Sequence, residues 1–428
     1  MLELHGLKFE NDGKRIVYDY SYDSSLSKYF NKKEAFFVEY TIDVSQIPTS
    51  LAVVPFLANF VPISWFAGFD VHVAEADATF VHSLSELKKE FSIHFAQLRQ
   101  DTKLTADTIV PNAINANETA LLFSGGLDAF EALTRNIDQN PFLVSVWGAD
   151  IDLSDTKRWD EFQRYNSEEE IIDQSRVQYV KTNIRAFYTH HVDLLADISW
   201  WGKIQHGMAL ISVIAPLSQI LGIKTVMIAS SNTGEVSFGW GSTSETDEKV
   251  RWANMQVIHD GFLFRRTQKV ENIVSFARKT GIHPQLRVCY SELRTGRNCC
   301  QCAKCQRTMF GFMLDGANPD EFGFKLPSNF YEVLFRNFEG AVAMTTGVAY
   351  EWRCLQEKAA SAQSPFFIAD PESEKNNIAT FAALPLDTMV NHNVDAELQK
   401  KKLKFMLVHR FPTLFKWYLK IRQAMATT

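Results

Sequence analysis

The stretch that most constrains this chain is Thr119–Leu133, TALLFSGGLDAFEAL. A short apolar run ends in Ser124-Gly125-Gly126, and a helical pattern opens at once behind it. Strand, glycine turn and helix in that order build an anion site from backbone alone. The turn N–H groups and the positive end of the helix dipole converge on one point. Glycine is needed there because a Cβ would block the approach of a phosphate and disfavour positive φ.

The same alternation continues downstream. Thr119–Phe123, Phe142–Trp147, Val177–Lys181 and Lys224–Ala229 read as strands, separated by helical stretches at Leu127–Ile137, Arg158–Ser175 and Lys203–Leu221, the last kinked at Pro216. The expected fold class is α/β, a doubly wound parallel sheet. Ligands in such sheets sit at the carboxyl ends of the strands. Ser124, Asp150, Asp152, Ser230, Ser231 and Asn232 should therefore share one edge with the glycine turn. The polar loop that follows Ala229 carries Trp240 and Trp252 and is long enough to expect a function of it. A helix at Thr267–Lys279 and a short strand at Leu286–Tyr290 complete this part.

The flanks read differently. Residues 1–112 are expected to form a separate α+β domain, with strands at Arg15–Tyr22 and Ala35–Ile42 and a helix from a capping box at Ser83-x-x-Glu86. Its apolar stripe is Leu84, Leu87, Phe91, Phe95 and Leu98. Thr105–Glu118 reads as a linker. Leu51–Phe69 is apolar but contains Pro55, Asn59 and Pro62 and runs into Asp70, so buried strands and turns are expected, not a transmembrane span. Residues 113–315 form the expected central domain and 316–428 a mostly helical C-terminal region, broken by a polar segment at Ser361–Asn377. The tail Gln399–Ile421 is basic and apolar together. It suits a helix packed on its own domain, a partner-binding helix or a membrane-surface helix.

At 428 residues, with 46% hydrophobic and 22% charged residues, the chain can bury a substantial core. A formal charge of −6 disfavours broad nucleic-acid or anionic-membrane binding while leaving room for a local basic patch. The start, MLELHGLKFENDGK, lacks the basic and apolar segments of a secretory signal, so a cytoplasmic chain is expected. Four of the six cysteines fall between Cys299 and Cys305, a usage that favours metal binding over disulfides.

Two clusters carry chemistry. No Walker G-x-x-x-x-G-K-[ST] motif occurs, and Ser124 is not in a G-x-S-x-G elbow, so its role is to hold phosphate and not to attack. Asp128, in the first helical turn, can cap backbone N–H groups or hold Mg²⁺. In the second cluster Cys299, Cys302 and Cys305 give C-x2-C-x2-C, with Cys289 ten residues earlier and Cys300 the odd one out. Four thiolates suit a closed tetrahedral structural Zn²⁺ site, with an iron–sulfur cluster as the rival. Arg294, Arg297, Lys304 and Arg307 flank them and can offset their charge or reach phosphates. Among histidines, His206 is a low-weight candidate; His190–His191 reads as surface and Cys354 as core.

These residues resemble a known group. SGGLD after a strand is similar to the pyrophosphate-loop signature SGGxDS of the ATP pyrophosphatase superfamily (PP-loop, adenine nucleotide α-hydrolase-like). A four-cysteine site late in the same domain is similar to that of the 7-cyano-7-deazaguanine synthases, QueC. Cys289, Cys299, Cys302 and Cys305 match the four zinc cysteines in order, and the resemblance covers about residues 119–312. Ala129 stands where the signature has its final Ser, Cys300 where the cysteine motif has Gly, and the loop at 230–252 lacks the family's substrate wording. The resemblance implies ATP bound by Phe123, Ser124, Gly125, Gly126, Leu127, Asp128, Ser230 and Asn232, with Mg²⁺, and adenylation of a small carboxylate such as a 7-deazaguanine acid. An amine, ammonia or that of a protein or nucleic acid, then displaces AMP. Asp128, Lys249 and Arg265 are the catalytic candidates, with Arg251 and Arg266 as further cations. Gly241, Ser242, Asp247 and His206 are the substrate-binding candidates. A homodimer is a further expectation, as is a place in bacterial antiviral defence. The alternative is a nucleotide-binding scaffold protein without turnover, and a zinc-ribbon nucleic-acid binder is a third reading.

Overall fold

The computed structural model describes residues 1–236, 240–289, 296–339, 344–362, 367–368, 371–386 and 394–411. Ten strands form one sheet: β1 Leu2–Glu10, β2 Arg15–Tyr22, β3 Phe37–Glu39, β4 Val71–Asp77, β5 Leu104–Val110, β6 Glu118–Leu122, β7 Phe142–Trp147, β8 Val177–Thr182, β9 Ile223–Ala229 and β10 Gln256–Asp260. Their order is β10-β9-β6-β7-β8-β3-β2-β1-β4-β5. The run from β10 to β8 is parallel throughout. The N-terminal strands join it through antiparallel β3, whose Val38 and Glu39 pair with Thr182 and Lys181 of β8.

Alternation along β6 shows why the sheet sits centrally. Ala120 and Leu122 enter one core, while Leu121 and Phe123 enter the other. Both faces are therefore buried, as an apolar parallel strand demands. The first core takes in the N-terminal region, from Leu2 to Leu98, together with Trp200–Leu217. The second takes in the helices Arg266–Thr280 and Ala303–Leu314 and the C-terminal residues Phe330, Trp352 and Phe381. The expected boundary after residue 112 interrupts neither the sheet nor the first core, which both run across it.

Several local expectations are corrected. Leu51–Phe69 holds no strand: Val54–Ala67 is a helix, with Pro62 inside it and every residue from Val54 to Phe66 buried. An apolar run with no preferred face suits a helix surrounded by core, where packing outweighs the helix-breaking cost of Pro62. Asn59 there donates to the Pro55 carbonyl at 2.7 Å and accepts from Gln205 at 2.6 Å. The helix expected at Ser83 begins at Ala78, capped by the Asp77 carboxylate, which accepts from Phe80 N–H. Residues 105–110 of the expected linker belong to edge strand β5. Leu286–Cys289 is not a strand, and Tyr290 lies outside the described residues. In the expected polar break at Ser361–Asn377, Pro371 opens the helix Pro371–Ala382. Trp201–Leu221, apolar and long enough to cross a membrane by composition, is mostly buried inside the fold. It is broken into Trp201–Gln205, His206–Ser212 and Ala215–Leu221, and Pro216 sits at the start of the last piece.

Candidate functional site

The strand order reverses between β6 and β9, and a cleft opens at their carboxyl ends. β6 ends at Leu122, and Phe123 continues its ladder by donating to Val144 at 2.8 Å. Gly125 then takes φ +70°, the left-handed turn that favours glycine. Gly126 is the N-cap of the helix Leu127–Arg135. Arg287 braces the turn from outside: its N–H donates to the Gly125 carbonyl at 2.7 Å and its guanidinium to the Ser124 carbonyl at 3.0 Å. With those carbonyls engaged, the first-turn amides of the helix are the groups left to meet an anion.

The cleft has two chambers that share Asp128 and Ser231. Phe123, Ser124, Gly126, Leu127, Asp150, Trp159, Phe162, His206, Arg287 and Lys304 line the first. Asn232, Arg266, Lys269, Tyr350, Glu351 and Cys354 help line the second. Lys269 is almost fully buried, donates to Asp128 at 3.2 Å and contacts the Ser230 carbonyl. Arg266 reaches the other Asp128 oxygen at 3.4 Å and Thr308 at 3.2 Å. Burial alone would raise the Asp128 carboxyl, but Lys269, Arg266 and Lys304 together hold it below the usual carboxylate range. Burial, helped by neighbouring Arg266, pushes Lys304 down to about 8. Burial also lowers His206, against the pull of Asp150 and Asp247.

The cysteines gather as the spacing indicated. The Sγ atoms of Cys289, Cys299, Cys302 and Cys305 all lie within 4.8 Å of one another. Cys289–Cys302 and Cys299–Cys305 are 3.9 Å apart and Cys302–Cys305 3.5 Å. A tetrahedral ion with M–S bonds of about 2.3 Å puts its sulfurs about 3.8 Å apart, so the set fits a single metal ion such as Zn²⁺. It does not fit the spread corners of an iron–sulfur cluster. Cys300 points elsewhere, accepting from Lys325 N–H at 3.2 Å, and takes φ +56°. That left-handed backbone accounts for the glycine at this place in the resembling motif. Asn298 ties the knuckle together, accepting from Val288 and Cys289 and donating to Leu286 and Gly323.

No family model, curated protein or solved structure matches this chain.

One connection stands out. Arg287 lies two residues before Cys289, and Lys304 lies between Cys302 and Cys305. Both line the cleft, so the cysteine knuckle delivers two cations to the glycine turn.

Other expectations separate. Lys249 pairs with Glu90 at 3.0 Å, and Arg265 pairs with Glu235 and Glu357 at 2.6 and 2.8 Å. Neither lines either chamber, and Arg266 and Lys269 stand there instead. Gly241, Ser242 and Asp247 lie behind the cleft as scaffold. Ser242 donates to Asp247 at 2.7 Å, Asp247 meets His259 Nδ1 at 2.8 Å, and Gly241 accepts from Gly207 N–H at 3.0 Å. Of the substrate candidates only His206 faces the cleft. Ser230 is internal, its N–H donating to Asp260 and its hydroxyl to Asn232. Asp152 caps its own turn through Ser154. Arg294 lies outside the described residues. Lys269 was missed, although a lysine beside Val270 on the stripe through Ile273 and Ala277 is a legible signal.

Proposed function

We propose that this chain is an ATP-dependent, AMP- and pyrophosphate-forming enzyme of the QueC type that adenylates a small carboxylate, a 7-deazaguanine acid or a similar one. The observation that carries this reading is the pair of cations, Arg287 and Lys304, brought to a glycine turn by a metal-suited cysteine set. The five parallel strands, in the order β8-β7-β6-β9-β10, support a doubly wound arrangement with its switch point at the glycine turn.

In this reading Ser124–Gly126 and the first turn of Leu127–Arg135 hold the ATP phosphates. Lys304, Arg287 and Lys269 offset their charge, and Mg²⁺ supplies further charge neutralisation when bound. A substrate carboxylate oxygen attacks the α-phosphorus, the bond to the β-phosphate oxygen breaks, and pyrophosphate leaves. An amine then displaces AMP from the acyl-adenylate and loses a proton. Such a site works mainly by positioning and charge stabilisation. Asp128 acts through its neighbours, because its two oxygens hold Arg266 and Lys269 in place. The second chamber, walled by the helix Thr346–Ala359, is where the acid would lie. The four cysteines would hold a structural Zn²⁺.

The test is exchange of labelled pyrophosphate into ATP with candidate acids, in the parent and in Lys304→Met. Acid-dependent exchange that the variant loses supports the reading. Ala129, which lacks the hydroxyl of the resembling loop, favours a second reading: a protein that binds ATP without turnover. Tight ATP binding with no exchange for any acid would select it.

A further inference from the structure

We propose that the outer face of the helix Val394–Arg410 is a docking surface for an anionic lipid bilayer. The helix is fixed by its inner face: Lys402 pairs with Asp197 at 2.6 Å, and the His409 ring stacks on His190 with centroids 4.6 Å apart. Phe405 packs against His409 on the same side at 4.2 Å. The opposite side is apolar and open. Leu403, Leu407 and Phe411 recur every four residues, so they form one stripe. They are 56%, 50% and 47% exposed. Isolated exposed leucines are ordinary, but an ordered stripe of them marks an interaction surface.

Charge decides the partner. Lys401, Lys404 and Arg410 are exposed on the same helix, and no Asp or Glu follows Glu397 in the sequence. The whole chain carries −6, so the cationic excess is local and an anionic surface is drawn to this end. A nucleic acid would satisfy the cations but leave the stripe in water. A bilayer satisfies both, taking the stripe into the acyl boundary while the cations meet headgroup phosphates. The helix, with lysines along its length, lies on such a surface and does not cross it.

The experiment is flotation of the full chain with phosphatidylcholine vesicles, with and without 30% phosphatidylglycerol. Binding to the anionic vesicles alone, weakened by salt, is expected. Leu403→Glu with Leu407→Glu should cut partitioning at least tenfold, and Lys404→Gln or Arg410→Gln should each cut it roughly fivefold. All four positions are exposed, so circular dichroism should be unchanged. Failure to float with anionic vesicles, or flotation indifferent to these changes, would overturn the proposal. So would binding of a 20-nucleotide single strand without vesicle binding, which would assign the face to nucleic acid.

Discussion

Replacing Cys305 by Ser tests whether the cysteine set and the cleft are one device. Cys305 is fully buried, with its Sγ 3.5 Å from that of Cys302 and 3.9 Å from that of Cys299. Structural zinc stabilises its fold by roughly 10–16 kcal/mol in apparent terms, and losing one of four ligands forfeits much of that. Arg287 lies in a stretch with no described helix or strand, and Lys304 stands in the first turn of the helix Ala303–Leu314 between two of the cysteines, so the cysteine set helps fix both at the turn. A hydrogen bond to a charged group contributes about 1.5–3 kcal/mol, so displacing both cations should cost about 3–6 kcal/mol of ATP binding. That is a loss of roughly 10²–10⁴ in affinity. Calorimetric titration of ATP, with metal content measured on the same samples, reads both quantities. Lys304→Met alone should lose roughly 10- to 150-fold and keep its metal. Cys300→Ser should change neither, since its sulfur faces Lys325. A folded, metal-free Cys305→Ser protein that binds ATP within threefold of the parent would refute the coupling.

Lys269→Met takes the lysine from the Ser230 carbonyl and from one Asp128 oxygen, leaving Arg266 alone on that carboxylate, and should destabilise the fold by about 3–5 kcal/mol, read as a lower urea midpoint with unchanged slope. Gly148→Ala should be among the most damaging single changes, because Gly148 has φ +106° and a Cβ there would overlap the Thr182 carbonyl oxygen. Insoluble expression, or a Tm lowered by well over 5 °C, is the expected readout, and a parent-like Tm would contradict it. His206 has its pKa lowered by burial, so the unfolded chain binds its proton more readily. Stability should therefore fall as pH drops below about 6.5, and His206→Gln should flatten that part of the urea-midpoint profile. An unchanged slope in the variant would exclude His206 as the source.

The parallel run was legible because its strands are short apolar segments between helical periods, and Phe142–Trp147 matches the expected strand end to end. The N-terminal strands β1 and β4 were harder to read, since LELHGLKFE and VHVAEAD mix charge with apolar residues on a sheet only partly covered. The helix Val54–Ala67 was hidden by uniform burial, which erases the period of 3.6. The site shows the same limit at finer scale. Arg265 and Arg266 are adjacent, yet one residue on a helix turns a side chain by about 100°. Arg265, at the N-cap, goes to Glu235 and Glu357, while Arg266 turns to Asp128. Composition sees two equivalent arginines, and only the backbone separates them.

The remaining question is why a binding cleft should tolerate four cations around so few acids. Arg266, Lys269, Lys304 and Arg287 line chambers whose carboxylates are Asp128, Asp150 and Glu351. Buried like charges disfavour one another: burial is the main cause that depresses Lys304, and neighbouring Arg266 adds to it. Asp128 answers it within the cleft by holding two of the cations at once. The cysteine set answers it from behind. Four thiolates around a divalent ion keep a surplus of negative charge, and Lys304 sits between two of those thiolates in sequence. The metal would then do two things together: fasten the stretch that carries Arg287 to the start of the helix Ala303–Leu314, and offset the charge of Arg287 and of Lys304 in that helix. The glycine turn and the cysteines are far apart in the chain, but the charge balance of one depends on the other.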